Sequence, residues 1–339
     1  MHICICGGGS LAHACAAVLS QQEDVNINIY TQRPHLWNKT ICAKDTNGVN
    51  YVAKINVATS NIEIATAGCD IILICLPGFL IEDTLRDLRP HLNKDTIIGS
   101  IVSSTGFFFM AHKVLSNTTP LFGFQRVPFI ARVDKYGQSA NILGYKSELF
   151  MAVENIANQE EFRATIARLF ATPTSVLSNY YEASLTNSNP ILHTGRLYNM
   201  WHQWDGTPYD NIIFFYKEWT IEDSKIIIDM DNEFMSLLDS LPVNKKHIPS
   251  LLDYYESRNA EELTKKISSI SAFKTITAPM KLNESGSKYI PDFNSRYFTE
   301  DFPFGLKYIK LLADSLKINT PTINRVYSWG NNIITNETN

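Results

Sequence analysis

The sequence predicts an α/β protein: an N-terminal domain built on a parallel sheet, residues 1–175, followed by an all-α domain, residues 176–339. Three observations carry this. Apolar, β-branched runs alternate with helix-period segments through the first half. The first such run, "HICIC", passes through a glycine turn, "GGGS", into the helix-period stretch "LAHACAAVLS". Beyond Thr172 the alternation stops, and longer amphipathic segments replace it.

In chain order, "VNINIY" is the second strand, and "CDIILICLP" and "DTIIGSIVSS" are further strands, each closed by a turn signal. Between those two, "IEDTLRDLRPHL" sets Ile81, Leu85, Leu88 and Leu92 at helical spacing. Two more short strands are expected near "LFGFQ" and "ANILGY". Strands that alternate with helices argue for a parallel sheet covered on both faces. "ATPTSVLSN" reads as a linker. After it come helices at "YYEASL", "IEDSKIIIDMDNEFMSLLDSL", "SLLDYYESRNAEELTKKISSI" and "GLKYIKLLADSLK". The polar tail "NNIITNETN" is expected to fray.

Composition narrows the class. A chain of 339 residues with 45% hydrophobic content can fill two cores. The net charge of -4, spread without a basic stripe, gives no footprint for nucleic acid. The longest apolar run, "IILICLPGFLI", is too short to span a bilayer. The N-terminus lacks the pattern of a signal peptide, so a cytoplasmic protein is expected. Six cysteines crowd the first quarter without a C-x-x-C pair. They read as small buried hydrophobes in a reducing compartment, and no metal site is expected.

Gly7, Gly9 and Ala12 fit the spacing G-x-G-x-x-G/A, directly after a strand and opening a helix. The first glycine allows a tight turn, the second lets backbone approach a pyrophosphate, and Ala12 permits close packing of helix on strand. Gly8, Ser10 and Leu11 complete this candidate cofactor loop, with Pro77 at the end of a neighbouring strand. The alternative is a tight turn with no ligand. The second strand ends in "IYTQRP", with Thr31 and Arg33 where an NAD enzyme usually carries an acid. An arginine there suits a 2′-phosphate, which favours NADP(H) over NAD(H).

Catalytic groups are then expected in the second half. "NSNPILH" places Asn189 and Pro190 at a helix entry and His193 one turn in. Histidine is the side chain best suited to exchange a proton near neutral pH; the alternative is a hydrogen-bonded structural histidine. "SRYFTEDFPFGL" gathers Arg296, Glu300 and Asp301 among aromatics. Arg296 is suited to grip a carboxylate, and Asp301 to orient a histidine; the alternative is a surface ion pair at a helix start capped by Thr299 or Asp301.

On these stretches, together with "GFQRVPFIAR" (Gly123 to Arg132) and "LADSLKINTPTINRV", the chain resembles the opine dehydrogenase family, which includes octopine and nopaline dehydrogenases. The resemblance implies a reductive condensation of an α-keto acid, often pyruvate, with the amino group of an amino acid. NAD(P)H reduces the intermediate imine. It also implies that His193 is the catalytic histidine, Asp301 its paired acid and Arg296 the holder of the keto-acid carboxylate. Gln125 and Arg132 match positions lining the cleft near the nicotinamide, and Asn189 is assigned with them to substrate. The implied partners are small molecules, with no nucleic acid and no membrane; a homodimer is compatible with this. The cluster "YNMWHQWDGTPYDN", with Trp201, His202 and Trp204, stands out. It reads either as packing between helices or as part of an amino-substrate pocket.

Two other functions fit the same architecture. A ketopantoate reductase-like 2-oxo acid reductase shares the two-domain plan but relies on a lysine where "NYYEASLTNSNPILH" has none. A non-catalytic cofactor-binding module would keep Gly7 and Gly9 but need not keep His193, Arg296 and Asp301.

Overall fold

The computed structural model describes residues 1–337. It divides into two compact units, Met1–Thr186 and Asn187–Asn339.

The first unit holds one sheet. Its strands are β1 (His2–Cys6), β2 (Asn26–Tyr30), β3 (Thr40–Asp45), β4 (Asn50–Thr59), β5 (Ile71–Ile74) and β6 (Ile97–Ser100). They are followed by β7 (Leu121–Phe124), β8 (Phe129–Lys135), β9 (Ser139–Tyr145), β10 (Leu149–Glu154) and β11 (Thr174–Val176). The spatial order is β11-β10-β7-β6-β5-β1-β2-β4-β3-β9-β8. From β7 through β4 every pairing is parallel. Antiparallel pairs occur only outside that centre, at β3–β4, β8–β9 and β7–β10. All of β5, and β1 beyond its first residue, is buried, which accounts for their unbroken apolar runs. β1 lies between β2 and β5, so the chain order reverses beside it. In an open α/β sheet the crevice at the C-terminal end of such a strand is where ligands bind.

The mostly parallel α/β architecture and the helical second half are as the sequence predicts, with local differences. β3, β4, β8 and β10 were not expected. They lie in the outer parts of the sheet, where β3, β4 and β8 alternate buried with exposed residues instead of forming apolar runs. The expected linker "ATPTSVLSN" contains β11, whose backbone pairs with β10. The segment "SLLDYYESRNAEELTKKISSI" is two helices, Leu251–Tyr254 and Ala260–Ser269. Glu256 takes φ 51° between them, and Asn259 caps the second through Glu262 N–H. The second unit also carries a two-stranded ribbon, β12 (Met280–Leu282) with β13 (Tyr289–Pro291). The tail expected to fray is helical through Glu337, and residues 338–339 lie outside the described residues.

In the second unit, helix Asn189–Trp201 packs on helix Ile221–Leu238. Gly195 makes the close approach possible, since a Cβ there would sit 2.9 Å from Ile227 Cγ1 and 3.1 Å from Met230 Sδ. Asp223, fully buried, ties the two helices together. Its carboxylate accepts from Arg196 and from Asn199 Nδ2 (2.7 Å), and it closes the capping box with Thr220.

Candidate active site

The turn after β1 bounds a cavity of about 550 Å³, a size typical of small-molecule sites. Gly7 adopts φ 138°, and a Cβ on it would sit 2.5 Å from the Cys75 carbonyl oxygen. A Cβ on Gly8 would run into the Tyr136 hydroxyl. Gly9, by contrast, has nothing within 4 Å of such a position. It precedes helix Ser10–Leu19, and no side chain caps its free amides. A turn kept bare above uncapped helix amides suits a pyrophosphate.

Of the candidate cofactor residues, Gly7 to Ser10, Thr31, Arg33 and Pro77 line this cavity. Leu11 and Ala12 do not; Ala12 is fully buried, and Leu11 packs against the same core. The Ser10 hydroxyl accepts from Val133 N–H at 3.0 Å, tying the helix start to β8. Arg33 is exposed, and its guanidinium lies 4.3 Å from the Tyr136 ring centroid. Asp83 and Asp87, from helix Gly78–Leu88, face the same cavity.

Sequence reasoning passed over the support beneath the turn. His13 is fully buried, stacked on Trp37 at 4.3 Å. Gly137 N–H donates to its Nε2 at 2.7 Å, so Nδ1 carries the hydrogen and donates to the Gly9 carbonyl at 2.9 Å. Burial pulls the His13 pKa down, against the opposing effect of the Gly9 bond. Nothing in the local sequence marks His13 as a support, because the Gly137 amide it binds lies 124 residues away.

In the second unit His193 and Asp301 meet. Nδ1 of the histidine lies 2.8 Å from Asp301 Oδ2, with the two side chains 10% and 17% exposed. Pro190 opens the helix that carries His193, and Gly305 packs on that proline; a Cβ at 305 would stand 2.5 Å from Pro190 Cγ. The glycine of "FPFGL" thus brings the Asp301 segment against the N-P-x-x-H turn. Neither Thr299 nor Asp301 caps a helix: Thr299 Oγ1 donates to the Ser295 carbonyl, and Asp301 precedes a π-helical turn, Phe302–Leu306. Tyr216, which sequence reasoning missed, places its hydroxyl 2.8 Å from His193 Nε2. The Tyr297 ring lies 4.7 Å from the His193 ring.

The other candidates have partners of their own or are exposed. Arg296 is 81% exposed and lies 3.4 Å from Glu300. Asn189 is half-buried, its backbone N–H donating to Asn187 Oδ1 at 3.3 Å. In the first unit, Gln125 is buried and donates to the Glu182 carbonyl at 3.3 Å. Arg132 is exposed on β8. Trp201 is buried against Phe293 and Phe298, exposed His202 stacks on Tyr198, and Trp204 Nε1 donates to the Thr207 carbonyl. Among the described residues, no three His, Cys, Asp or Glu side chains come together to hold a metal ion, and no helix is long and apolar enough to cross a membrane.

Comparison with known proteins follows the same division. Residues 176–334 match the family model for the NAD/NADP octopine/nopaline dehydrogenase α-helical domain, and residues 3–105 match that of ketopantoate reductase PanE/ApbA. Tauropine dehydrogenase from Arabella iricolor is 27% identical over 98% of this chain and 91% of its own. Octopine dehydrogenase from Pecten maximus is 24% identical over 96% and 88%. The solved octopine dehydrogenase with NADH and L-arginine superposes with a TM-score of 0.86 at 21% identity, covering 99% of this chain and 90% of that one. Yersinopine dehydrogenase with NADP+ gives 0.74 at 14% identity, over 99% and 91%. These two structures establish the shared fold.

Proposed function

We propose that the chain is a member of the opine dehydrogenase family, on its likeness to the octopine/nopaline helical domain and to tauropine and octopine dehydrogenases, and that it condenses an α-keto acid with the amino group of an amino acid and reduces the product with NAD(P)H. The observation that carries this is the His193–Asp301 pair at 2.8 Å, inside the segment matched to the octopine/nopaline helical domain.

Condensation removes the keto oxygen as water together with two amine hydrogens, leaving an imine. NAD(P)H supplies the hydride for the imine carbon, and a proton completes the secondary amine. His193 gives the proton that lets water leave and takes part in returning one to nitrogen. Asp301 holds Nδ1 and stabilises the ring when it is charged. Arg296, exposed and 3.4 Å from Glu300, is the candidate to grip the keto-acid carboxylate; Asn189 in the same unit, and Gln125 and Arg132 in the first, are each candidates for substrate contact. The Gly7–Ser10 turn and the helix amides behind it hold the pyrophosphate.

Arg33 in the cavity wall, and the absence of an acid at the end of β2, favour NADP(H) over NAD(H). Asp83 and Asp87 oppose that preference by placing negative charge in the same cavity. The six cysteines, all unpaired, support a reducing, cytoplasmic setting.

The test is a screen of NADPH and NADH with pyruvate, glyoxylate or 2-oxoglutarate and pooled amino acids, with products read by mass spectrometry. A secondary-amine dicarboxylate is the expected product, and its mass names both substrates. A hydroxy acid alone would instead favour ketone reduction, the reading that the match of residues 3–105 favours.

A further inference from the structure

Both nitrogens of the His193 ring are already engaged. An ionised carboxylate only accepts hydrogen bonds, so Nδ1, 2.8 Å from Asp301, carries the hydrogen. The lone pair of the neutral ring is then on Nε2, and it faces the Tyr216 hydroxyl at 2.8 Å. Burial pushes the Tyr216 pKa well above its ordinary range, with Tyr297, Tyr255 and Asp301 adding to the effect, so the phenol keeps its hydrogen. The phenol ring is held in place. It stacks on Phe273 at 4.4 Å, lies parallel to Trp219 at 6.0 Å and is 6% exposed.

We infer that Tyr216 is a positioning residue of the reaction, clamping His193 at Nε2 as Asp301 clamps it at Nδ1. A phenol oxygen both donates and accepts. It donates to Nε2 while the ring is neutral and accepts from Nε2–H once the ring is charged; a proton reaches or leaves Nε2 through this hydroxyl, which takes up one hydrogen as it gives up the other, so His193 changes protonation state without turning. The inference rests on the reading of His193 as the proton-carrying group.

The titratable groups facing the ring are Asp301, Tyr216 and Tyr297, with Tyr255 behind Tyr216. Arg196, one turn along the same helix, is neutralised by Asp223. Removing the Tyr216 hydroxyl takes a donor from the neutral ring and an acceptor from the charged one. Hydrogen bonds to charged groups are roughly twice as strong as neutral ones, so the charged ring loses more.

Two measurements test this. The first is nitrogen NMR of isotope-labelled histidine in the full-length native protein, with His193 assigned by the signal lost in His193→Asn. It needs no turnover, so it stands apart from any failure of the product screen. A neutral ring protonated at Nδ1 is expected; protonation at Nε2 overturns the inference. The second is Tyr216→Phe, titrated by the same signal and by the pH profile of kcat. The His193 midpoint should fall by roughly half a unit or more, and kcat should drop about tenfold with the keto-acid KM nearly unchanged. A midpoint and profile identical to the native protein would reduce Tyr216 to packing. If Tyr216→Phe does not fold, the nitrogen shift of unprotonated Nε2 in the native protein decides: the value of a nitrogen accepting a hydrogen bond is expected, and that of a bare lone pair overturns the clamp.

Discussion

Replacing Asp301 with Asn keeps the size of the side chain and removes its charge. The partners sit 2.8 Å apart and are only 10% and 17% exposed, so their interaction is neither that of bulk water nor that of a dry interior. At an effective dielectric of about 20 and a charge separation of about 4 Å, an imidazolium gains roughly 4 kcal/mol from the carboxylate. The amide carbonyl still accepts from Nδ1 and returns about 1 kcal/mol. The remaining ~3 kcal/mol falls on steps in which His193 is charged, a loss of about 10²-fold in rate. If the amide turns its NH₂ toward Nδ1, the proton moves to Nε2 and the tautomer is inverted. The loss then approaches the ~10⁴-fold seen when the corresponding Asp of a Ser-His-Asp triad becomes Asn. Initial rates of NAD(P)H consumption at saturating keto acid and amine give kcat, and a titration gives the cofactor Kd. The expected result is a fall of about 10²- to 10⁴-fold in kcat with Kd within about twofold, because every residue lining the cofactor cavity belongs to the first unit. A kcat within about threefold of the native value would refute the charged-histidine mechanism.

Three further outcomes follow from the geometry. Gly8→Ala drives a methyl group into the Tyr136 hydroxyl and to 2.9 Å from Thr31 Oγ1. NAD(P)H titration should show binding weakened by about tenfold or more, partly recovered when Tyr136→Phe removes the obstructing oxygen. Arg33→Ala should weaken NADPH binding by about tenfold and NADH binding far less; equal effects on both would dismiss Arg33 as a 2′-phosphate contact. Asp231 is buried, and burial lifts its pKa from 3.8 to about 6, with Asp253 adding and the Leu251 N–H bond opposing. A carboxyl with a raised folded pKa contributes stability at low pH that is lost as pH rises through that value. Asp231→Asn should therefore stabilise the protein by roughly 1–3 kcal/mol above about pH 6. Thermal melts across pH should show the gain vanishing below about pH 4.

What the sequence made legible depended on the range of the forces involved. β1, β5 and β6 declare themselves because strands covered on both faces are largely apolar, and β2, "NINIY", shows as an alternation of asparagine with isoleucine. β4, "NYVAKINVAT", is half-exposed, and its lysine and asparagines hide it among loop-like residues. His193 and Asp301 stood out as candidates because each sits in a recognisable local motif, although 108 residues separate them. Tyr216 was not, because only the packing of Phe273 and Trp219 brings its hydroxyl to His193. Nothing near "FFYKEW" distinguishes that tyrosine from its aromatic neighbours. The contact of Gly305 with Pro190 is visible only in three dimensions.

The stacking of Trp37 on His13 has an optical consequence. The five tryptophans fall at 37, 201, 204, 219 and 329, so the first unit contains only Trp37. That indole lies 4.3 Å from the imidazole whose Nδ1 donates to the Gly9 carbonyl. Indole emission overlaps the absorption of a reduced nicotinamide, which quenches it by energy transfer. With the other four tryptophans replaced by phenylalanine, the remaining fluorescence would report from directly beneath the phosphate turn. The protein thus carries its own light source for watching a dinucleotide arrive, without an attached dye.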